Sequence, residues 1–81
     1  MADLPYRLLI SYGNETPHES MSTESYVYAR TAALRRLKTT VTDPNRRQPT
    51  FARIVLPGEI VLFEASRLES GRVVIDKESP G

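Results

Sequence analysis

Seven basic residues lie close together in the middle of this chain, between Arg30 and Val55, and Asp43 is the only acid among them. They are Arg30, Arg35, Arg36, Lys38, Arg46, Arg47 and Arg53. Seven positive charges less one give this segment +6, whereas the whole chain of 81 residues carries a net charge of only +1. Guanidinium groups bind phosphate and carboxylate oxygens through paired, charge-assisted hydrogen bonds. The segment therefore predicts a surface that attracts an acidic or phosphate-bearing partner.

Five of these residues form the predicted binding set for a phosphate or an acidic partner, namely Arg35, Arg36, Lys38, Arg46 and Arg47. The first three lie on a predicted helix, where basic residues commonly form no more than the solvated face. The other two lie in the predicted loop after it, and loop arginines are free to converge on one phosphate-sized target. Tight nonspecific binding of nucleic acid requires that several phosphates be neutralised, and a net charge of +1 is small for that purpose.

Residues that could perform catalysis are sparse. The single histidine, His18, lies in a polar stretch with no spaced second metal ligand and no nucleophile beside it. The carboxylates at predicted strand ends and turns are scattered; they are Glu59, Glu64, Glu69 and Asp76. The chain has no cysteine and Gly13 is isolated, which excludes thiolate metal sites and a glycine-rich phosphate loop. The sequence therefore predicts a protein that is not an enzyme and holds no metal or cofactor.

One amphipathic helix must present the first part of the basic segment. It is predicted to begin after Ser22 or Thr23, whose hydroxyls can cap its first amides, and to run for about five turns. The apolar residues that recur at helical spacing are Tyr26, Ala29, Ala33, Leu37 and Val41. Asp43 followed by Pro44 is predicted to end the helix, because proline disfavours a helical conformation at the residue before it.

Strands are predicted on both sides of this helix. They are Tyr6 to Tyr12 before it, and Phe51 to Leu56, Glu59 to Ala65 and Arg72 to Asp76 after it. Thr16 to Ser22 is either a short edge strand or a loop, and residues 77–81 are predicted to be a frayed tail. The prediction is a single α+β domain over residues 1–81, in which the helix packs on a small, mainly antiparallel sheet of four or five strands. The order β-(β)-α-β-β-β resembles that of a β-grasp, in which the last strand pairs parallel with the first.

The Pro57-Gly58 turn predicts a hairpin, and a loop of two residues would pair Ile54 with Val61 and Ala52 with Phe63. One face of that hairpin would meet the helix. The other would carry a protein interface of four apolar residues, namely Phe51, Val55, Ile60 and Leu62. One helix cannot cover both faces of a sheet, so this second face has two explanations. Either the 43–50 loop and the Leu4-Pro5 segment fold across it, or it meets a second copy or another protein.

Targeting signals are not apparent in the sequence. No stretch approaches the roughly 18 consecutive apolar residues that a membrane-spanning helix needs. The first residues include Asp3 where a signal peptide would carry basic residues. These observations, together with the absence of cysteine, predict a cytoplasmic location.

Two functions of different classes follow from these patterns. The leading prediction is a small non-enzymatic interaction module that binds another protein, as an adaptor, an inhibitor, an accessory protein or a homodimer. Its small size would also suit an accessory protein of a phage or mobile element. The alternative is a nucleic-acid-binding protein that uses the basic helix and loop on backbone phosphates. A third and more distant prediction is an enzyme subunit that adds shape to the active site of another chain.

Overall fold

The fold is one helix packed on a five-stranded antiparallel sheet. It comes from a computed structural model that describes residues 4–13 and 15–79. The elements in chain order are β1 (Tyr6–Ser11), β2 (His18–Thr23), α1 (Tyr26–Lys38), β3 (Phe51–Leu56), β4 (Ile60–Arg67) and β5 (Val73–Glu78). The predicted α+β class and the predicted order of elements are confirmed.

The position of β1 distinguishes this sheet from a β-grasp. The strand order is β2-β1-β3-β4-β5, and every neighbouring pair is antiparallel. The last strand, β5, therefore lies at one edge and does not pair with β1. The resemblance to a β-grasp is limited to the order of elements. Instead, α1 connects β2 to β3, two strands that run in the same direction on either side of β1.

The stretch that the sequence left open between strand and loop is the edge strand β2. It begins directly after Pro17, which suits an edge because proline cannot donate to a ladder hydrogen bond. Because β2 continues to Thr23, the helix starts later than predicted. Its N-cap is Ser25, whose Oγ accepts a hydrogen bond from the backbone N–H of Tyr28 at 3.2 Å.

The helix also ends earlier than predicted, at Lys38, and spans 13 residues. The next four residues are Thr39-Thr40-Val41-Thr42, all β-branched and poor helix formers. Thr39 is extended, with φ −73° and ψ 121°, and its Oγ1 donates to the carbonyl of Arg35 at 2.8 Å. Val41, which was predicted to belong to the apolar stripe, therefore lies in the loop after α1.

The core lies between α1 and the sheet. Three helix residues, Ala29, Ala33 and Leu37, are fully buried there, and two of them are alanines, which let the helix approach the sheet closely. Their partners on the strands are Leu8, Ile10, Ala52, Ile54, Phe63 and Ala65. Burial of each large aliphatic or aromatic side chain is worth about 1.5–3 kcal/mol. The apolar residues at every third or fourth position of the helix thus pack against the alternate apolar residues of β1 and β3, and together they form one apolar layer.

The β3–β4 hairpin differs from its prediction in register. Its loop has three residues, Pro57 to Glu59, rather than two, and Gly58 and Glu59 both adopt positive φ, at 87° and 64°. Ile54 consequently pairs with Phe63, and Val55 with Val61. The register shift between these two pairs leaves Leu62 as the extra residue of a bulge. Because of the longer loop and the bulge, each of these β3 residues pairs with a different β4 residue from the one predicted. The same alternate residues of β3 nevertheless face the core.

The last strand extends into the segment predicted to be a frayed tail. Lys77 and Glu78 belong to β5, and the backbone N–H of Ser79 donates to the carbonyl of Leu62 at 2.8 Å. The carboxylate of Glu78 forms an ion pair with Arg30 on α1. This contact between strand and helix orders the end of β5. Pro80 and Gly81, the rest of the predicted tail, lie outside the described residues.

Next to this ion pair, the hydroxyl of Tyr26 is buried and has no hydrogen-bond partner among the described residues. Burial raises the pKa of Tyr26, and the nearby Glu78 carboxylate raises it further.

An unsatisfied buried donor costs about 1–3 kcal/mol. We therefore expect Tyr26→Phe to unfold at the same or a higher urea concentration than the wild type. Tyr28→Phe, at a residue 60% exposed, is the control. A loss of stability above about 1 kcal/mol in Tyr26→Phe would show that the hydroxyl is satisfied.

Candidate functional site

A cleft of about 630 Å³ opens where the end of α1, the loop after it and the end of β1 meet. We call it the arginine cleft. Its lining residues are Tyr12, Arg35, Arg36, Thr39, Thr40, Val41, Thr42, Asp43, Asn45, Arg46, Arg47 and Pro49. Four of the five predicted phosphate- or acid-binding residues are among them. The fifth, Lys38, is exposed and borders a shallower depression beside the cleft, together with Thr31 and Leu34.

The last turn of α1 places Arg35 and Arg36 at the cleft. The helix end is fastened by Arg67 on β4, whose Nη1 donates to the carbonyl of Leu37 at 2.7 Å. The carbonyl end of a helix carries partial negative charge, which by itself would repel an anion. The Arg67 guanidinium offsets that charge, so the helix end is compatible with an anionic ligand.

The loop that carries the other two arginines is held by its own polar side chains. Gln48 accepts a hydrogen bond from the backbone N–H of Val41 at 2.9 Å and donates to the carbonyl of Thr39 at 3.2 Å. The carboxylate of Asp43 accepts from the backbone N–H of Asn45 at 2.9 Å, which forms a local turn. The carbonyl of Asp43 also accepts from the N–H of Arg46 at 3.0 Å. This turn places Arg46 at the rim of the cleft.

Tyr12, directly after β1, organises two of the arginines. Its hydroxyl accepts a hydrogen bond from Arg36 at 3.2 Å, and its backbone carbonyl accepts one from Arg47 at 3.0 Å. The Arg47 guanidinium also lies 5.3 Å from the centre of the Tyr12 ring, within cation–π range. The ring of His18, at the start of β2, stacks on Tyr12 at 5.7 Å between centroids. The tyrosine ring is therefore already in contact with two side chains.

Sequence reasoning did not single out Tyr12. It lies more than 20 residues before the nearest arginine of the cleft, Arg35, and only the pairing of β1 with β3 brings it to the loop. The backbone N–H of Thr50 donates to the carbonyl of Ser11 at 3.0 Å and fixes this approach. An aromatic residue at a strand end was the one available signal, and a single such residue has no specificity.

The charges of the cleft are only partly compensated. Arg47 forms an ion pair with Glu15. Arg36 donates to neutral groups, including Ser20 Oγ at 2.6 Å. Among the described residues, no carboxylate lies within 4 Å of the guanidinium groups of Arg35, Arg36 or Arg46. Four arginines and Asp43 give the lining a formal charge of +3, and the Glu15 carboxylate that pairs with Arg47 reduces it to +2.

The four residues of the predicted apolar interface do not form one patch. Val55 is 1% exposed, between its cross-strand neighbours Arg7 and Val61. Phe51 is half-buried, with the Arg53 guanidinium 5.2 Å from its ring centre. Ile60 is 54% exposed at the start of β4 and Leu62 is the bulge residue. The face opposite α1 carries Leu9, Phe51, Val55 and Val61, with Arg53 between Phe51 and Val55.

Among the described residues, none of the four scattered carboxylates pairs with another, and three of them have a local partner; Glu59 lies 3.8 Å from Arg7. Glu64 pairs with Arg53 at 2.8 Å, and Asp76 accepts a hydrogen bond from Ser66 at 2.6 Å. Across residues 4–13 and 15–79, no group of three metal-ligating side chains comes together. The arginine cleft is thus a part of the described surface where several charged side chains converge without a carboxylate partner.

Comparison with protein-family models, curated proteins and solved structures gives no match to this chain. In the described part of the chain, α1 is too short and too polar to cross a membrane. The fold and the site together define a small α+β protein with an arginine-lined cleft beside its helix end.

Proposed function

We propose that this protein is a small, non-enzymatic interaction module that binds another protein, and that the arginine cleft receives an acidic segment of that partner. The observation that carries this proposal is the convergence of four arginines on one cleft, three of them without a described carboxylate partner. Arginine is favoured at protein interfaces because its planar guanidinium forms paired hydrogen bonds with carboxylates.

The charge outside the cleft favours a compact partner over an extended polyanion. The whole chain carries +1, and the cleft lining together with Glu15 carries +2, so the remaining residues carry −1 in total. Beyond the cleft and the adjacent Lys38, the other residues offer no net positive charge to a nucleic acid. A short acidic segment held within the cleft needs no such charge, because exposed charges are screened beyond about 10 Å at moderate ionic strength.

Binding suits the lining side chains better than catalysis does. Two hydroxyls already have structural roles, since Thr39 donates to the carbonyl of Arg35 and Thr40 accepts from Arg67. Asp43 holds the turn before Arg46. Within the described lining, no hydroxyl donates a hydrogen bond to a carboxylate or an imidazole, the contact that would activate it as a nucleophile.

Nucleic-acid binding is the second candidate, and the continuity of the basic surface favours it. Lys38 borders a depression that shares Arg35 with the arginine cleft, so the five basic residues form a surface that runs from helix to loop. Backbone phosphates could bind along it. Such binding would weaken steeply with added salt, because each bound phosphate releases counterions.

Affinity capture from the native source, with nuclease treatment in parallel, tests the proposal. The baits are the wild type, the cleft variant Arg46→Ala/Arg47→Ala and the control Arg72→Ala/Lys77→Ala. The control removes the same charge from exposed residues outside the cleft. We expect a protein partner that survives nuclease, is retained by the control and does not bind the cleft variant. Mobility shifts with DNA and RNA at ~100 mM salt should show only weak binding, with Kd of the order of ~10⁻⁵ M.

Two results would overturn this assignment. A partner that the cleft variant retains in full would place the interface elsewhere on the surface. Disappearance of every partner after nuclease, together with a sub-micromolar nucleic-acid complex that Arg46→Ala/Arg47→Ala abolishes, would make nucleic acid the partner. The salt slope would then fall by roughly one unit for each phosphate that the variant no longer binds.

A further inference from the structure

We infer that the arginine cleft is a site for a phosphate monoester, carried as a phosphorylated side chain by the partner protein, with Arg35 and Arg46 as its main ligands. The inference rests on the proposed function, because it specifies which acidic group the cleft recognises. Three properties of the cleft support it: its charge, its number of free donors and its order before binding.

The charge of the two main ligands matches a phosphate monoester better than a carboxylate. Arg35 and Arg46 are both exposed, and neither guanidinium has a carboxylate within 4 Å among the described residues. A phosphorylated side chain carries about −1.5 to −2 at pH 7, whereas a carboxylate carries −1. The third arginine without a carboxylate partner, Arg36, and the Asp43 carboxylate in the same lining offset each other. The uncompensated charge is therefore +2, which one phosphate monoester neutralises and one carboxylate does not.

The cleft also keeps more donors than a carboxylate can accept. Arg36 makes two side-chain hydrogen bonds, to Ser20 and to Tyr12, out of the five N–H donors of a guanidinium. Both partners are neutral, so Arg36 keeps its full charge. A phosphoryl group offers three strong acceptor oxygens and can bond to arginines that approach from different sides. The helix end and the loop present arginines from two such sides.

Part of the site is ordered before any ligand arrives. Arg36 and Arg47 are held by Tyr12, and Arg47 is held by Glu15 as well. Immobilising a long side chain on binding costs about 0.5–1.5 kcal/mol, and this cost is already met for these two arginines. They form the fixed part of the cleft, while Arg35 and Arg46 remain available to close on the phosphoryl oxygens.

The same chemistry argues against a nucleic-acid backbone as the source of the phosphate. Each phosphodiester carries a single charge, and successive charges follow one another along the strand. The cleft, with Glu15 included, concentrates a charge of +2 in one place, and the remaining residues carry −1. This distribution fits one doubly charged group better than a row of singly charged ones.

An NMR titration of the arginine Nε–H resonances tests the inference. The probes are inorganic phosphate, the blocked tripeptide Gly-phosphoserine-Gly, the matched Gly-Glu-Gly and a single-stranded RNA oligonucleotide. The proteins are the wild type, Arg35→Ala/Arg46→Ala, the charge-preserving Arg35→Lys/Arg46→Lys, and the control Arg72→Ala/Lys77→Ala. We expect the phosphoserine peptide to bind at least 10-fold more tightly than the glutamate peptide and to shift the cleft resonances.

The variants should separate guanidinium recognition from general charge. Arg35→Ala/Arg46→Ala should remove the preference for phosphoserine and the control should keep it, while the lysine variant should keep some affinity and lose most of the preference. Equal binding of the two peptides at the cleft would refute the phosphate site and leave the proposed function standing. Failure of both peptides to shift the cleft would overturn both. Cleft binding by RNA in preference to phosphoserine would assign the phosphate to nucleic acid.

Discussion

Replacing both Arg35 and Arg46 by glutamate is expected to lower the affinity of the arginine cleft for an acidic ligand by at least about 100-fold. A hydrogen bond to a charged group contributes about 1.5–3 kcal/mol, so the absence of two such bonds amounts to roughly 3–6 kcal/mol. The new carboxylates add repulsion to this effect. A suitable measurement is fluorescence anisotropy with a labelled peptide that carries one phosphoserine among glutamates.

The matched control for this charge reversal is Arg72→Glu/Lys77→Glu, because both residues are exposed and lie outside the cleft. The two variants have the same net charge, so a purely long-range effect would weaken binding equally in both. Neither Arg35 nor Arg46 makes a side-chain hydrogen bond among the described residues. We therefore expect the charge-reversal variant to have the same far-UV circular dichroism spectrum as the wild type. Equal weakening in the two variants would mean that the cleft itself does not bind the peptide.

The second large effect is expected from Phe63→Ala, with a loss of about 3–5 kcal/mol in the free energy of unfolding. Phe63 is fully buried between α1 and the sheet, and its ring also lies beneath the Arg30 guanidinium at 5.7 Å. Domains of this size are stable by only about 0.05–0.15 kcal/mol per residue. The variant should therefore lose a large share of its stability, which urea denaturation followed by circular dichroism would measure.

Ile60→Ala is the control for this prediction, because Ile60 lies on the same strand but is 54% exposed. Exposed substitutions of this kind usually change stability by no more than about 0.5 kcal/mol. A loss below about 1 kcal/mol in Phe63→Ala would show that the ring does not support the core.

Local patterns account for much of this fold. The bounds Phe51 to Leu56 of β3 were predicted and observed, because the strand alternates buried and less buried residues and ends at Pro57. The helix stripe Ala29, Ala33 and Leu37 follows from a period of 3.6 residues. The basic residues of the cleft were likewise visible, since charge is a property of composition and needs no contact to be recognised.

The boundaries of α1 were less visible because they depend on competing local preferences. The strand β2 takes the residues up to Thr23, and the β-branched run that begins at Thr39 stops the helix before Asp43 is reached. Each preference is worth only a few tenths of a kcal/mol per residue. Pairing of β2 with β1 and the hydrogen bonds of Arg67 to the helix end select between them.

The element order, the apolar stripe and the basic segment can all be read from the order of residues along the chain. Three other features depend on long-range packing. They are the pairing of β1 with β3 and the bulge at Leu62, which separates the residues of the predicted apolar interface. The third is the contact of Tyr12 with Arg36 and Arg47. The physical reason is that strand register and long-range pairing are set by the best joint packing of all elements. Periodicity within one segment reports only which face of that segment is apolar. The arginine cleft is a product of that joint packing.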